Sequence, residues 1–475
     1  MLIPKKQADF IADRPMLHKR ISKIFRIFAE DRPCPDKLKP ASLHLTGMVV
    51  ESTFLNGISM KILHTADWHL GNTFHGHERT EEHRHFMAWL LDILRQEEPD
   101  ALVVAGDLYD NANPSAAAQT LLFDFLEAAT AEHPGMQLVL LAGNHDSASR
   151  LEAPAALLRR HGIFALGTVP RDEKGNPDYA SLCLRLTSRT DDTSIHCLAI
   201  PFLRPADCPP AETAGEGTRL FLADALKTLQ RKTADAPLLL AAHFYATGAD
   251  VVNDEHSERL VVGGQECVDV SQLSTGPAYV ALGHIHKAQR VAGSDTIRYA
   301  GSVLPMSFSE KNYRHGVVKV IISPDGKAEW ETLSYEPLRR LQAIPETGAC
   351  NTAEAFEAIR NLPNAGKKDN GHSWPYLEIK IRDERPEPSL VQQIMTELGN
   401  KAVHFCRLVR VRPAGEAIDD APVQSLETLK QMTPLDMAQL VFKNRYDTPM
   451  PDDLATLFEQ AREAAEKNDL EERNA

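Results

Sequence analysis

An α/β fold is predicted by three observations. From Met60 to about residue 335, short apolar runs alternate with helical patterns. The runs are bounded by Gly, Asp and Pro, as buried strands are. Five of them also stop in a carboxylate, an amide or an imidazole, so the strand ends carry the chemistry. Strands and helices alternating in this way define the α/β class.

The runs are "KILHTA", "ALVVAG", "QLVLLAG", "SIHCLAIP", "PLLLAAHF", "YVALGH" and "GVVKVII". Between the early ones lie two helices. "EEHRHFMAWLLDILRQ" places Phe86, Leu90 and Ile93 or Leu94 on one face, and "SAAAQTLLFDFLEAAT" follows Pro114. Residues 340–413 read as a smaller helix–strand–helix–strand module. In "NTAEAFEAIRNL", Asn351 caps with Glu354 three residues on, and "SLVQQIMTEL" repeats the device with Ser389 and Gln392. Its strands are "YLEIKIR" and "VHFCRLVRVR", and "PNAGKKDNGHSWP" is a loop. In the tail, Thr433-Pro434 opens one short helix, and Leu454, Leu457, Phe458, Ala461 and Ala465 form the apolar face of another. Residues 1–59 differ from the rest, with ten Lys/Arg against six Asp/Glu. They read as a poorly ordered extension rather than as a basic arm for nucleic acid or membrane.

Composition excludes several classes. Forty-three per cent hydrophobic and 25% charged residues describe a globular protein. A net charge of −14 rules out polyanion binding by bulk electrostatics, so a nucleic-acid ligand would need local basic patches, metal ions or a partner. Seven cysteines without knuckle or C-x-x-C spacing predict free thiols in a reducing compartment. With no apolar run near the roughly 18 residues of a membrane span and no signal-peptide core, the expected location is cytoplasmic.

The strand ends are Asp67-x-His69, Gly106-Asp107-x-x-Asp110, Asn144-His145, His243 and His284-x-His286. Taken singly, each has a commoner explanation: a solvated turn, a helix cap or a hydrogen-bonded core histidine. Taken together, at equivalent strand ends, they converge, because sites in α/β sheets form beyond the carboxyl ends of strands. Oxygen and imidazole donors without thiolate suit Mn²⁺, Fe²⁺, Mg²⁺ or Zn²⁺. A central carboxylate can bridge two such ions, which clamp a phosphoryl group and activate water.

D-x-H, GD-x-x-D, GNH-D/E, a later lone His and GH-x-H form a set that resembles the calcineurin-like metallophosphoesterases. "ILHTADWHLG", "VAGDLYD", "LAGNHDS", "IPFLRP", "YVALGHIHKAQ" and "YAGSVLPMSFSE" resemble a DNA-nuclease branch of that family, from Met60 through at least Glu310. The GD-x-x-DRG and GNHE of the protein phosphatases are absent: Asn111 follows Asp110, and Asp146 follows His145. The resemblance implies a two-sheet β-sandwich flanked by helices (60–335), a smaller α/β capping domain (340–413) and C-terminal helices (426–475) that dock a partner.

It also implies two divalent ions, usually manganese. One would be held by Asp67, His69, Asp107 and His286, the other by Asp107, Asn144, His243 and His284. His145 would face the scissile phosphate, and Asp110 would orient the motif histidine. The implied reaction is exonucleolytic and structure-specific endonucleolytic cleavage of DNA by a hydroxide that two ions activate. The implied partners are DNA, a second copy of the chain and an ABC-type ATPase with a long coiled coil. A phosphodiesterase acting on small nucleotides and a non-catalytic scaffold are the alternatives. The capping module and amphipathic tail weigh against the first, and the complete ligand set weighs against the second.

Overall fold

The computed structural model describes residues 59–230, 236–250, 267–274, 276–366, 371–382 and 389–411, with short pieces between 435 and 459. The expected extension therefore lies outside the described residues, apart from Ser59. So does the tail, apart from those pieces. In chain order the elements are β1 (Met60–Thr65), β2 (Thr73–Phe74), β3 (His77–Glu78), α1 (Thr80–Glu97), β4 (Ala101–Val104), α2 (Ala116–Glu132), β5 (Gln137–Leu141), α3 (Ala148–Glu152), α4 (Ala155–Leu158) and β6 (Ile163–Leu166). There follow β7 (Cys183–Thr187), β8 (Ser194–Ile200), α5 (Ala214–Gln230), β9 (Leu238–His243), β10 (Tyr279–Gly283), β11 (Gln289–Val291), β12 (Ser294–Tyr299), β13 (His315–Ile322) and β14 (Ala328–Tyr335). The last are β15 (Leu341–Ile344), α6 (Thr352–Arg360), β16 (Tyr376–Arg382), α7 (Leu390–Leu398) and β17 (His404–Val411).

Two six-stranded sheets dominate, in the orders β14-β13-β1-β4-β5-β6 and β11-β12-β10-β9-β8-β7. Their central strands are parallel, which points the carboxyl ends of β1, β4 and β5 one way within the first sheet, and those of β8, β9 and β10 one way within the second. Side chains alternate across a strand, and here both faces are covered. In β4, Ala101 and Val103 join the core between the sheets, while Leu102 and Val104 join the one under the helices. β5 divides likewise, with Val139 and Leu141 on one side and Leu138 and Leu140 on the other. Burial on both faces is why these strands read as continuous apolar runs.

The helices cover the first sheet through their apolar stripes. On α1, Phe86, Leu90 and Leu94 are buried. α2 starts at Ser115, whose hydroxyl accepts from the Ala118 amide at 3.2 Å.

The third sheet, β15-β16-β17, is parallel and three-stranded. The sequence reading missed its first strand, the short "LQAI" run. On β16, Leu377, Ile379 and Ile381 face α6 and α7, while Tyr376 joins Phe74 and Phe308 in a cluster on the opposite side. α6 has the expected reciprocal cap: Glu354 N donates to Asn351 Oδ1 and Asn351 N to Glu354 Oε2, both at 3.0 Å. The cap expected at Ser389 is not made. Ser389 is itself helical in backbone (φ −83°, ψ −8°), so its hydroxyl cannot turn back over the first amides. Gln393 Nε2 donates to that hydroxyl instead, at 2.9 Å.

Residues 453–459 are helical, with Leu454 and Leu457 exposed. Among the described residues no helix is long and apolar enough to cross a membrane.

Candidate metal centre

Each motif sits where a central strand ends. Asp67 and His69 follow β1, Asp107 and Asp110 follow β4, and Asn144 and His145 follow β5. His243 ends β9, and His284 and His286 follow β10. The loops meet so closely that their glycines have no room for a side chain. A Cβ on Gly106 would stand 2.1 Å from His243 Nδ1, and one on Gly143 would stand 2.1 Å from Asp107 Oδ1. The backbone is also forced. Of seven described non-glycine residues with positive φ, four are Asp67 (52°), His69 (46°), Asp107 (50°) and His284 (106°). Each such residue costs on the order of 1–3 kcal/mol, and strain of this kind collects at functional sites.

The side chains form a floor and a rim. Asp67, His69, Asp107, His243 and His286 are buried, His284 is half-buried, and Asn144 and His145 are exposed. Ligand atoms of Asp67, His69 and His286 lie within 4.8 Å of one another, as do those of Asp67, Asp107 and His243. A third such group joins His69, Asp107 and His145, so His145 stands nearer to candidate ligands than the sequence reading placed it. Asp107 is central: its Oδ2 lies 3.4 Å from His243 Nε2 and 3.8 Å from His69 Nε2, and its Oδ1 accepts the His145 amide at 2.9 Å. Asn144 Oδ1 lies 2.9 Å from His243 Nε2 and 3.0 Å from His284 Nδ1.

Two observations test whether a cation fits. Neither ring nitrogen of the buried His69 makes a hydrogen bond, an arrangement a native interior rarely tolerates. His243 Nδ1 donates to the Ala105 carbonyl at 2.8 Å, so in the neutral ring Nε2 presents a lone pair to the oxygens of Asn144 and Asp107. Lone pairs facing one another call for a cation between them, either a proton on His243 or a metal ion in its place. With oxygen and imidazole donors and no thiolate, the set fits hard or borderline divalent ions.

Electrostatics agree. Burial raises the Asp67 carboxyl. Burial opposes ionisation of Asp107 as well, but His243, then His69 and His145, override it and hold that carboxyl far below the usual range. Burial alone would lower His243; Asp107 and Asp67 instead raise it to about 9. Burial, aided by His243, lowers His284 to about 3.

Asp110 stands differently from expectation. His145 Nδ1 donates to its backbone carbonyl at 2.8 Å, which leaves Nε2 turned elsewhere. The Asp110 carboxylate accepts from Asn72 Nδ2 at 2.8 Å and lies 3.5 Å from His69 Nδ1. Sequence reasoning gave no role to Asp146. Its buried carboxylate accepts the amides of Leu108 (3.1 Å), Tyr109 (2.9 Å) and Gly143 (2.9 Å), tying the β4 loop to the β5 loop. The acidic fourth letter of the GNH-D/E motif was its only signal. His64 and His83, outside the motifs, are buried and hydrogen-bonded to the carbonyls of Leu282 and Trp68.

Comparison with known proteins gives a consistent picture. The family profile described as calcineurin-like phosphoesterase matches residues 60–288, and that of the Type 5 capsule protein repressor C-terminal domain matches 335–446. The SbcD subunit of nuclease SbcCD from Rhodobacter capsulatus is 35% identical over 378 residues, covering 77% of this chain and 91% of that protein. The SbcD protein of Bacillus subtilis is 32% identical over 337 residues, covering 68% and 80%. That of Escherichia coli K12 is 32% identical over 322 residues, covering 64% and 75%.

Proposed function

Since this chain belongs to the SbcD family of nucleases, we propose that it cleaves DNA phosphodiester bonds at the crevice around Asp107, exonucleolytically and at hairpins or blocked ends. The chain is a metal-dependent nuclease subunit with a calcineurin-like phosphoesterase domain. The observation that carries the proposal is the convergence of six oxygen and nitrogen side chains from both large sheets around the Asp107 carboxylate.

Asp67, His69, Asp107 and His286 would hold one divalent ion, and Asp107, Asn144, His243 and His284 the other; Mn²⁺ is the ion proposed. Such a pair supplies Lewis-acid charge and a reactive water at neutral pH. The chain's own residues do the rest. Asp107 is kept ionised by the histidines around it. His145, exposed at the rim and oriented through Nδ1 by the Asp110 carbonyl, turns Nε2 to the phosphate. There it stabilises developing charge or protonates the leaving oxygen. Asp110 acts on His69 by its carboxylate and on His145 by its backbone, both positioning roles. The proposed partners are DNA, a second copy of this chain and SbcC, an ABC-type ATPase, with residues 426–475 as the docking helices. Partner and ions supply what a net charge of −14 denies the chain as a polyanion binder.

The test is a nuclease assay on blocked-end duplex DNA with Mn²⁺ or Mg²⁺, with and without co-expressed ATPase and ATP. Cleavage that needs Mn²⁺, and that reaches the blocked ends with partner and ATP, is expected. Hydrolysis of small phosphodiesters with none of DNA would favour the small-nucleotide reading.

A further inference from the structure

Apart from the crevice, the described residues contain a second buried ionic group, and its members come from both the two-sheet domain and the third-sheet module. Glu82, in the first turn of α1, is fully buried. Its Oε1 accepts Arg79 Nη2 at 3.0 Å, and its Oε2 accepts Arg79 Nε at 3.2 Å. Oε2 also takes the Tyr376 hydroxyl at 2.6 Å and Arg339 Nη1 at 3.4 Å. Tyr376 opens β16, and Arg339 precedes β15. Arg339 Nη1 donates in addition to the Tyr376 hydroxyl (2.8 Å) and Nε to the His372 carbonyl (3.0 Å). A buried charge stays charged only when saturated in this way.

The group continues toward the crevice. Arg79 Nη1 donates to the Pro305 carbonyl at 2.7 Å. Pro305 opens the turn that carries Glu310, itself 1% exposed. Glu310 Oε2 accepts the Met306 amide at 2.9 Å, and Oε1 lies 3.7 Å from His286 Nδ1. With Nδ1 facing a carboxylate, Nε2 is the nitrogen left for an ion. A carboxylate behind a ligand histidine fixes its ring and tautomer, and its loss costs about 10- to 100-fold in metal affinity.

We propose that Glu310 is the positioning residue for His286, and that the Glu82 hub, through Arg79 and the 305–310 turn, ties that position to the third-sheet module. The proposal rests on reading His286 as a metal ligand. It makes the module's seating part of what sets one of the two ion sites.

The experiment titrates the metal-free full-length chain with Mn²⁺ and records the visible absorption of its Co²⁺ form. The chains are wild type, Glu310→Gln, Tyr376→Phe, Met306→Leu and His286→Ala. Glu310→Gln is expected to weaken one of two Mn²⁺ sites about tenfold and to shift the Co²⁺ bands. Tyr376→Phe, more remote, should shift the same bands less. Met306→Leu removes the sulfur to which Arg79 Nη1 donates at 4.0 Å and disturbs the turn that carries Glu310, so it should shift the same bands as well. A Glu310→Gln chain with wild-type affinities and spectrum would overturn the positioning role. An unmoved Tyr376→Phe spectrum would overturn the link to the module, and it decides the matter if Glu310→Gln fails to fold. Wild-type binding by His286→Ala would instead remove the premise, the ligand reading of that residue.

Discussion

The two six-stranded sheets reach one crevice with different chemistry. From the first come both carboxylates and the amide, in Asp67, Asp107 and Asn144, together with His69. From the second come imidazoles alone, in His243, His284 and His286. Three of the four left-handed site residues also belong to the first sheet's loops. The carboxylates of the site are thus held by strained, tightly turned backbone, and the second sheet's imidazoles by the end of β9 and the turn that follows β10. Charge placed without freedom to move is the preorganisation that electrostatic catalysis needs. Because each half alone offers an incomplete set, ion binding reports that the two sheets are packed together.

The strongest way to break this comparison is Asp107→Asn. Asparagine keeps the shape and can still accept the His145 amide, but it removes the charge both halves share. Loss of both ions and a fall in nuclease activity of more than about a thousandfold are expected, with unchanged far-ultraviolet circular dichroism. Metal content of the purified proteins checks it. His69→Ala and His284→Ala, one from each sheet, should each drop the content from two ions to one. Two ions retained by Asp107→Asn would end the bridging assignment.

A smaller effect concerns the packing itself. His64, on β1 of the first sheet, reaches across to the Tyr279 hydroxyl (3.2 Å) and the Leu282 carbonyl (3.1 Å) of the second. Burial lowers it to about 3. A folded-state pKa below the unfolded value of about 6.5 means that this histidine's contribution is complete above pH 6.5 and is lost as pH falls toward 3. At about 1.4 kcal/mol per pH unit, roughly 2 kcal/mol goes between pH 6.5 and 5. His83, also lowered to about 3 by burial, adds its share from within the first sheet's own core. Denaturant unfolding at the two pH values should show a shallower pH dependence in His64→Gln than in wild type. An identical dependence would mean that His64 is not held neutral between the sheets.

How much of this was legible depended on burial. Strands covered on both faces had to be apolar throughout, so β1, β4, β5, β9 and β10 stood out, and their polar last residues stood out against them. Edge strands carry no such signal. β14, "AEWETLSY", is exposed along most of its length and reads as polar chain, although it pairs with β13 over eight residues. β15 is too short for its periodicity to register. Side-chain identity showed which groups would gather at the strand ends, but not that Asp110 would meet His145 through its backbone. The Glu82 hub was hidden for the same reason: its partners are up to 294 residues apart in sequence.

The smallest expected effect lies in the third sheet, which supplies none of the candidate ligands and so serves as the control for the other two. Its core is a separate cluster built from Ile344, Ala355, Ile359, Leu377, Ile379 and neighbours. The reciprocal cap of α6 stabilises that cluster locally, and replacing an N-cap Asn by Ala costs typically about 1 kcal/mol. Asn351→Ala should therefore speed hydrogen exchange in α6 by the roughly fivefold that 1 kcal/mol allows. Mn²⁺ affinity should be unchanged, because Asn351 touches neither the crevice nor the Glu82 hub. Ser389→Ala, at a helix start without a side-chain cap, should do less than Asn351→Ala in the same exchange experiment. Weakened Mn²⁺ binding in Asn351→Ala would show that the module's internal stability, and not only its seating through Tyr376, reaches the metal centre. The division of labour between the two large sheets would then have to include a third.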